Sequence, residues 1–154
     1  MRYSETPFIK YPAISFVIPM YNESANIEDT VGKVAALAKE LADDYEIILA
    51  DDASSDGTGD IADRLQKEDA HIKSVRLKEN TKFGGALAAG LKKASKDIII
   101  YTDADLPVKK EDVKKGLALL KNAADLNVPG IDKPKNVVVV FKSGKKRLIT
   151  NKPL

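Results

Sequence analysis

Tyr45–Gly59 reads YEIILADDASSDGTG: an apolar strand, two adjacent aspartates, then a run of small turn-forming residues. The apolar part suits a strand covered on both faces, because parallel strands are near-continuous in Ile, Leu and Val rather than alternating. The Asp, Ser, Gly and Thr that follow end the strand, and Asp56 or Thr58 is the expected cap of a helix faced by Ile61 and Leu65. The same grammar repeats upstream. Ile14–Ile18 (ISFVI) lies between Pro12 and Pro19, and from Ile27 apolar residues recur at Val31, Val34, Ala38 and Leu41. That is one face of a helix, with Asn22 or Ser24 as its expected cap. Gly32 inside it costs roughly 1 kcal/mol, too little to end it.

Downstream, Ile72–Leu77 reads as a third strand, and Gly84-Gly85 opens a helix faced by Leu87, Leu91 and Ala94. Asp97–Thr102 (DIIIYT) is a fourth strand, and Val113, Leu117 and Leu120 line a fourth helix. Leu126–Asn136 reads as loop, Val137–Phe141 as a fifth strand, and Ser143-Gly144 as its end. Strands separated by helices of this length predict βαβ units. The expected fold is a single α/β domain over residues 1–154: a doubly wound, mainly parallel sheet of about five strands with helices on both faces.

Composition narrows the function classes. Hydrophobic residues make up 44% and charged residues 31%, as in an ordinary globular domain. No apolar stretch approaches the roughly 18 residues of a membrane-spanning helix. Met1–Lys10 carries no apolar core of a signal peptide, so a cytoplasmic location is the expectation. The absence of cysteine excludes disulfides and thiolate metal sites. His71 is the single histidine, which argues against histidine-rich metal centres and histidine triads and reads as a surface or edge residue. A net charge of +2 gives no field for nucleic acid. Two basic clusters, Lys109, Lys110, Lys114 and Lys115, then Lys142, Lys145, Lys146 and Arg147, read as solvated faces or tail. The rival reading is contact with phosphates or peripheral contact with an anionic membrane.

In open α/β sheets ligands bind beyond the carboxyl ends of the strands. Glu23, Asp51, Asp52, Asp103 and Asp105 all fall there. Five acids at one rim repel each other unless a cation or hydrogen-bond donors compensate. Asp103 and Asp105 are the sharpest pair, since two carboxylates one residue apart past a strand can share a hard cation. Mg²⁺ and Mn²⁺ commonly take one or two carboxylates plus substrate phosphates. The bland alternative is that Asp105 caps the next helix, near Pro107. Asp51-Asp52 could equally be Asx-turn residues. Gly84-Gly85 either lets a backbone approach a phosphate at a helix N-terminus or simply permits close packing. It is not the Rossmann glycine pattern, so NAD binding is not supported.

Taken in order, ISFVIPMYNE, EIILADDASSDGT, NTKFGGALAAGLKKA and DIIIYTDADLP resemble the motifs of family 2 inverting glycosyltransferases, over about Ile14–Leu120. The D-A-D-L-P form is most like the branch that makes dolichyl- or polyprenyl-phosphate mannose and glucose. The resemblance implies a GT-A fold and a nucleotide-diphosphate sugar, UDP- or GDP-linked, as donor. It implies a nucleoside pocket lined by Pro19, Tyr21 and Glu23, with Leu49 and Asp51 contacting the base. Ala104 would lie in the sugar-nucleotide site, Asp103 would meet the ribose or the metal, and Asp105 would ligate Mg²⁺ or Mn²⁺ directly. A polyprenyl or dolichyl phosphate at a membrane surface is the implied acceptor.

The acceptor-side part of that family, with its catalytic carboxylate, is not recognisable after Asp105. Asp125 and Asp132 lie in apparent loop and neither is named as a base; Lys142 or Lys145 could stand for the family's phosphate-binding arginine. Weak transfer by this chain alone is therefore the expectation. Two rivals remain: a nucleotide-sugar-binding module without turnover, and a receiver domain whose acidic pocket Asp51, Asp52 and Asp103 imitate. A receiver begins with the strand that carries its acidic pair, whereas here a strand and a helix precede it.

Overall fold

A computed structural model describes residues 10–82, 84–104, 110–124, 136–140 and 146–150. Its elements run β1 (Tyr11–Met20), α1 (Ile27–Leu41), β2 (Ala42–Asp51), α2 (Thr58–Glu68), β3 (Ile72–Arg76), α3 (Gly85–Lys93), β4 (Ile98–Tyr101), α4 (Lys110–Ala124), β5 (Asn136–Val140) and β6 (Lys146–Thr150). The strands form one sheet in the order β3-β2-β1-β4-β5-β6. All neighbours are parallel except β5 and β6, which are antiparallel with Val138 opposite Leu148. The doubly wound parallel sheet expected from the sequence is therefore present, with a sixth strand where the sequence reading had a basic tail.

Alternating side chains divide the core by face, as strand geometry requires. Ile14, Phe16 and Ile18 of β1, Ile47 and Leu49 of β2, and Ile100 of β4 pack with Ile27, Val34, Ala38 and Leu41 of α1, Ala62 of α2, and Val113 and Leu117 of α4. Val17, Ile48 and Ile99 point the other way, toward Ala94 and the α3 residues Leu87 and Leu91. Each fully buried isoleucine or leucine contributes roughly 2 kcal/mol by leaving water. The periodicity read for α1 is thus its buried face, and Gly32 does not interrupt it, while Ile61, Leu65, Leu87 and Leu91 of α2 and α3 are partly buried against the core.

β1 changes neighbours part-way along. It pairs with β2 from Tyr11 to Met20 but with β4 only from Ile14 to Val17. The last bond on the β4 side runs from the Thr102 amide to the Val17 carbonyl, 3.1 Å, while on the other side the Asp52 amide reaches the Met20 carbonyl, 2.9 Å. Backbone groups in a parallel strand alternate sides, so Val17 and Pro19 face β4 and Met20 faces β2. Pro19 has no N–H to continue the ladder. The sheet therefore opens between β1 and β4 at the point where strand order reverses, the place at which α/β sheets take ligands.

The middle of β2, level with the starts of β3 and β4, holds a buried charge. The Glu46 carboxylate accepts the Ser15 hydroxyl at 2.6 Å, the Lys73 ammonium at 2.5 Å, and the Ser95 amide and hydroxyl at 2.6 and 2.9 Å. These donors tie β1, β2, β3 and the end of α3 together. Burial alone would push the Glu46 carboxyl up; the bonds from Lys73, Ser15 and Ser95 outweigh it and hold the group at about 2. His71, just ahead of β3, stacks on Tyr45 with ring centroids 4.2 Å apart and sits beside Asp69.

A stability test follows from Glu46. Its folded value lies below the ordinary 4.5, so the carboxylate adds stability above about pH 4.5 and loses it as pH falls toward 2. Glu46→Gln should destabilise the chain by on the order of 2 kcal/mol at pH 7. Urea titrations of parent and variant at pH 7 and pH 2.5 should show that gap shrink by more than half at the lower pH. A gap that does not depend on pH would contradict the assignment.

Candidate nucleotide-binding rim

Three parallel strands deliver the candidate residues to one edge of the sheet. β1 ends in Pro19-Met20-Tyr21-Asn22-Glu23, β2 in Asp51-Asp52, and β4 in Thr102-Asp103-Ala104. Asp105, Pro107 and Lys109 lie outside the described residues, as do Asp125, Asp132, Lys142 and Lys145.

The loop after β1 is stitched to the loop after β2. The Asn22 amide donates to Ser54 Oγ at 2.9 Å, and Asn22 Oδ1 accepts the Ser55 amide at 3.0 Å. The Glu23 amide donates to Thr58 Oγ1 at 2.9 Å, and the Ser24 amide to Asp56 Oδ2 at 3.1 Å. Asp56 also accepts the Thr58 amide at the start of α2, and bonds from Thr58 and Ser24 hold its carboxyl well below the ordinary range. Asp56 thus bonds the first amide of α2, but the cap itself is Gly57, left-handed at φ 89° and without a side-chain bond, in place of the expected Asp56 or Thr58. The caps expected of α1 differ: its cap is Asn26, without a side-chain bond, while Asn22 and Ser24 reach across to the other loop instead. Asn22 and Ala53 hold left-handed backbone at φ 51° and 58°, which Asn tolerates and Ala adopts at a cost of about 1 kcal/mol.

The acids separate by what already occupies them. Asp51 is fully buried and accepts the Ser54 hydroxyl at 2.5 Å and, less closely, the Ser54 amide at 3.3 Å. Asp52 binds the loop ahead of α3: its carboxylate takes the Thr81 amide and hydroxyl, both at 2.9 Å, and its carbonyl takes Asn80 Nδ2 at 3.1 Å. Glu23 accepts Asn26 Nδ2 at 3.1 Å. Among the described residues the half-buried Asp103 carboxylate accepts the Tyr101 hydroxyl at 3.1 Å. Burial, with Asp103 adding to it, pushes the Tyr101 hydroxyl up to about 12, so it stays a donor at neutral pH.

Among the described residues the ion pairs fall elsewhere, on Glu28, Asp29, Glu40, Asp44, Glu46, Asp60, Asp63, Glu68 and Asp69, and none uses Glu23, Asp51, Asp52 or Asp103. Among those residues the rim is thus held by neutral donors, without an ion pair to lysine or arginine. Described residues alone bring no three acids or histidines close enough to hold a metal. Asp103 supplies one carboxylate with spare oxygen capacity, which fits a hard cation that draws its other ligands from a diphosphate and a second aspartate.

Other expected roles sort by exposure. Tyr21 is 51% exposed, the large apolar side chain most open to solvent among the described residues, and offers a ring face at the rim. Leu49 is fully buried among Phe16, Ile47 and Ile100, so its side chain packs the core of the sheet just before Asp51. Ala104 is buried, and its carbonyl accepts the Thr30 hydroxyl at 2.5 Å. The glycines before α3 have a local explanation, since Gly84 is left-handed at φ 75° and a Cβ on Gly85 would stand 2.3 Å from Thr81 Oγ1. Sequence reasoning missed Thr30, Thr81 and Asn80. For Thr30 the signal existed, a polar residue between Ile27 and Val34 on the apolar face of α1.

Comparison with known proteins places this geometry. The model of "Glycosyl transferase family 2" matches residues 15–153. An undecaprenyl-phosphate 4-deoxy-4-formamido-L-arabinose transferase of Yersinia enterocolitica is 34% identical over 118 residues, 76% of this chain and 36% of that protein. The chain thus spans about a third of that relative's length. In solved structures, the mannosyltransferase PcManGT from Pyrobaculum calidifontis, in complex with GDP-Man and Mn²⁺, matches with a TM-score of 0.59 and 23% identity, covering 82% of this chain and 37% of that one. Glucosyl-3-phosphoglycerate synthase from Mycobacterium tuberculosis, in complex with Mn²⁺, UDP and phosphoglyceric acid, matches with a TM-score of 0.52 and 26% identity, covering 78% of this chain and 41% of that one. No described helix is long and apolar enough to cross a membrane. The receiver-domain reading falls with the family match: the chain belongs to glycosyl transferase family 2 and carries the α/β fold of its GT-A members.

Proposed function

We propose that this chain is the donor-binding part of a metal-dependent glycosyltransferase that takes a nucleotide-diphosphate sugar and passes the hexose to an acceptor such as a polyprenyl or dolichyl phosphate. The observation that carries the reading is the rim beside Pro19: an acidic edge without a lysine or arginine partner among the described residues, at the opening between β1 and β4. Two solved structures of similar fold hold a guanosine or uridine diphosphate compound with Mn²⁺. The lipid-phosphate acceptor rests on the name of the Yersinia relative and on the D-A-D-L-P resemblance.

In this reading Tyr21 lays its ring against the base or ribose, and Pro19 and Glu23 complete that wall. Asp51 accepts a base N–H through the oxygen that the Ser54 hydroxyl leaves open. Asp103 meets a ribose hydroxyl or the metal, with Tyr101 fixing its carboxylate, and Asp105 ligates the metal. When bound, Mg²⁺ or Mn²⁺ supplies positive charge to the leaving diphosphate. Ala104 contributes backbone rather than side chain.

Calorimetric titration of UDP, GDP and their sugar conjugates, with and without Mn²⁺ or Mg²⁺, tests the reading directly. One nucleotide series should bind at least about tenfold more tightly with metal, and Asp103→Asn and Asp105→Asn should each remove that gain with the fold intact. Failure of every nucleotide to bind with either metal overturns the reading.

Tyr21 should behave differently. Tyr21→Ala should weaken free nucleoside and nucleotide-sugar alike, by roughly 1–3 kcal/mol, the range for a base stacked on an aromatic ring. A loss seen only in the presence of metal would remove Tyr21 from the nucleoside pocket.

A further inference from the structure

Thr30 lies in the first turn of α1, buried on the face that also carries Ile27, Val31 and Val34. A threonine in a helix ordinarily returns its hydroxyl to a carbonyl one turn back. Here the Asn26 carbonyl receives the Thr30 amide at 3.0 Å, and the hydroxyl leaves the helix altogether. It crosses 74 residues of sequence to donate to the Ala104 carbonyl at 2.5 Å, in a buried setting.

Ala104 stands directly after Asp103, in the middle of the D-A-D sequence. β4 ends at Tyr101, so its own ladder does not hold this peptide. Among the described residues, side-chain hydroxyls fix the turn instead, the Thr102 hydroxyl lying 3.5 Å from the Asp103 carbonyl. The Tyr101 hydroxyl holds the Asp103 carboxylate from the strand, and the Thr30 hydroxyl holds the Ala104 carbonyl from the helix. A buried carbonyl deprived of its donor finds no water in exchange, so the peptide would rotate to seek one. Rotation at Ala104 redirects the residues on both sides of it.

We propose that Thr30 is a positioning residue of the metal–diphosphate site, aiming the Asp103–Ala104 turn at the cation without touching ligand itself. This rests on the nucleotide and metal reading above. Outer partners that orient a metal ligand typically contribute 10-fold to 100-fold in metal affinity. Valine is nearly isosteric with threonine and removes only the donor; serine keeps the donor and removes only the methyl group.

The experiment compares parent, Thr30→Val and Thr30→Ser as full chains. Mn²⁺ alone is titrated while paramagnetic broadening of backbone amide signals is followed, and UDP and GDP are then titrated by calorimetry with and without Mn²⁺. Thr30→Val should keep a dispersed spectrum and the metal-free nucleotide affinity. Its metal-coupled affinity should fall roughly 10-fold to 100-fold, with broadening near Asp103 displaced to higher Mn²⁺. Thr30→Ser should restore the parent behaviour. Unchanged metal-coupled affinity in Thr30→Val overturns the proposal, and so does an equal loss of metal-free and metal-coupled binding, which would mark a purely structural bond. Should Thr30→Val not fold, Thr30→Ala is judged by the same criteria, and failure of both to fold also overturns it. A parent that binds no nucleotide with metal is a separate outcome: it removes the nucleotide reading, and Thr30's role with it.

Discussion

The central strand loses one of its two neighbours between Val17 and Pro19, and most of the rim's geometry depends on that loss. From Ile14 to Val17, β1 is bonded on both sides and buried on both faces, the stiffest setting the sheet offers. From Pro19 onward it is bonded to β2 alone. The missing N–H makes the separation a covalent property of the chain rather than a consequence of side-chain packing. Once β1 and β4 part, the loops that leave them must find partners other than each other. The loop after β1 bonds sideways to the Ser-Ser-Asp-Gly-Thr turn, and the turn after β4 bonds upward to α1 through Thr30. The opening is thus braced on both sides by side-chain bonds to backbone.

That bracing explains a sequence feature which looked like an electrostatic liability. Hydroxyls and amides satisfy Asp51, Asp52 and Asp56 so fully that each works as a connector: Asp51 to Ser54, Asp52 to Asn80 and Thr81, Asp56 to Ser24 and Thr58. Each replaces water around a carboxylate with fixed donors, so its oxygens are bonded without a cation beside them. The serines and threonines around them matter as much as the acids. Ser54 and Thr58 each accept a backbone amide from the first loop while donating to an aspartate of the second, so one hydroxyl serves both loops.

Periodicity carried the fold because the strongest patterns coincide with the deepest burial. ISFVI and YEIILA are the core of the sheet, and the Ile27–Leu41 stripe is the buried face of α1. The end of α1 was less legible. Ala42 starts β2 with no residue between, because its amide caps the helix on Ala38 while its backbone is already extended. The sixth strand escaped because KRLIT is short, begins with two charges and follows a Ser-Gly-Lys sequence that reads as the end of a strand. An edge strand needs charge to discourage further pairing, and that same charge reads as tail. At the rim, D-A-D and the adjacent aspartates were visible by type and place. What each acid binds was not, since Asp52–Thr81 and Thr30–Ala104 are contacts across 29 and 74 residues that no local pattern encodes. Period 2 puts Leu49 on the same face as Ile47, toward α1.

β2 carries buried carboxylates at its middle, Glu46, and at its end, Asp51, and the contrast between them bears on what the rim is for. Glu46 has Lys73 among its donors, so that part of the sheet is near neutral as folded and needs nothing from solution. Among the described residues Asp51 and Asp52, five and six residues on, have only neutral donors, and the Asp103 carboxylate across the opening has a tyrosine hydroxyl. Hydrogen bonds stabilise each charge singly but do not cancel the repulsion between them, which in a partly dry cleft is screened far less than in water. The fold thus satisfies its acid in mid-strand with a cation of its own and leaves the rim negative among the described residues. A site built only to be stable would have followed the Glu46 pattern twice. One that admits a divalent ion together with an anionic ligand gains by leaving the cation out, because the negative rim raises affinity for the metal and the metal in turn admits the diphosphate.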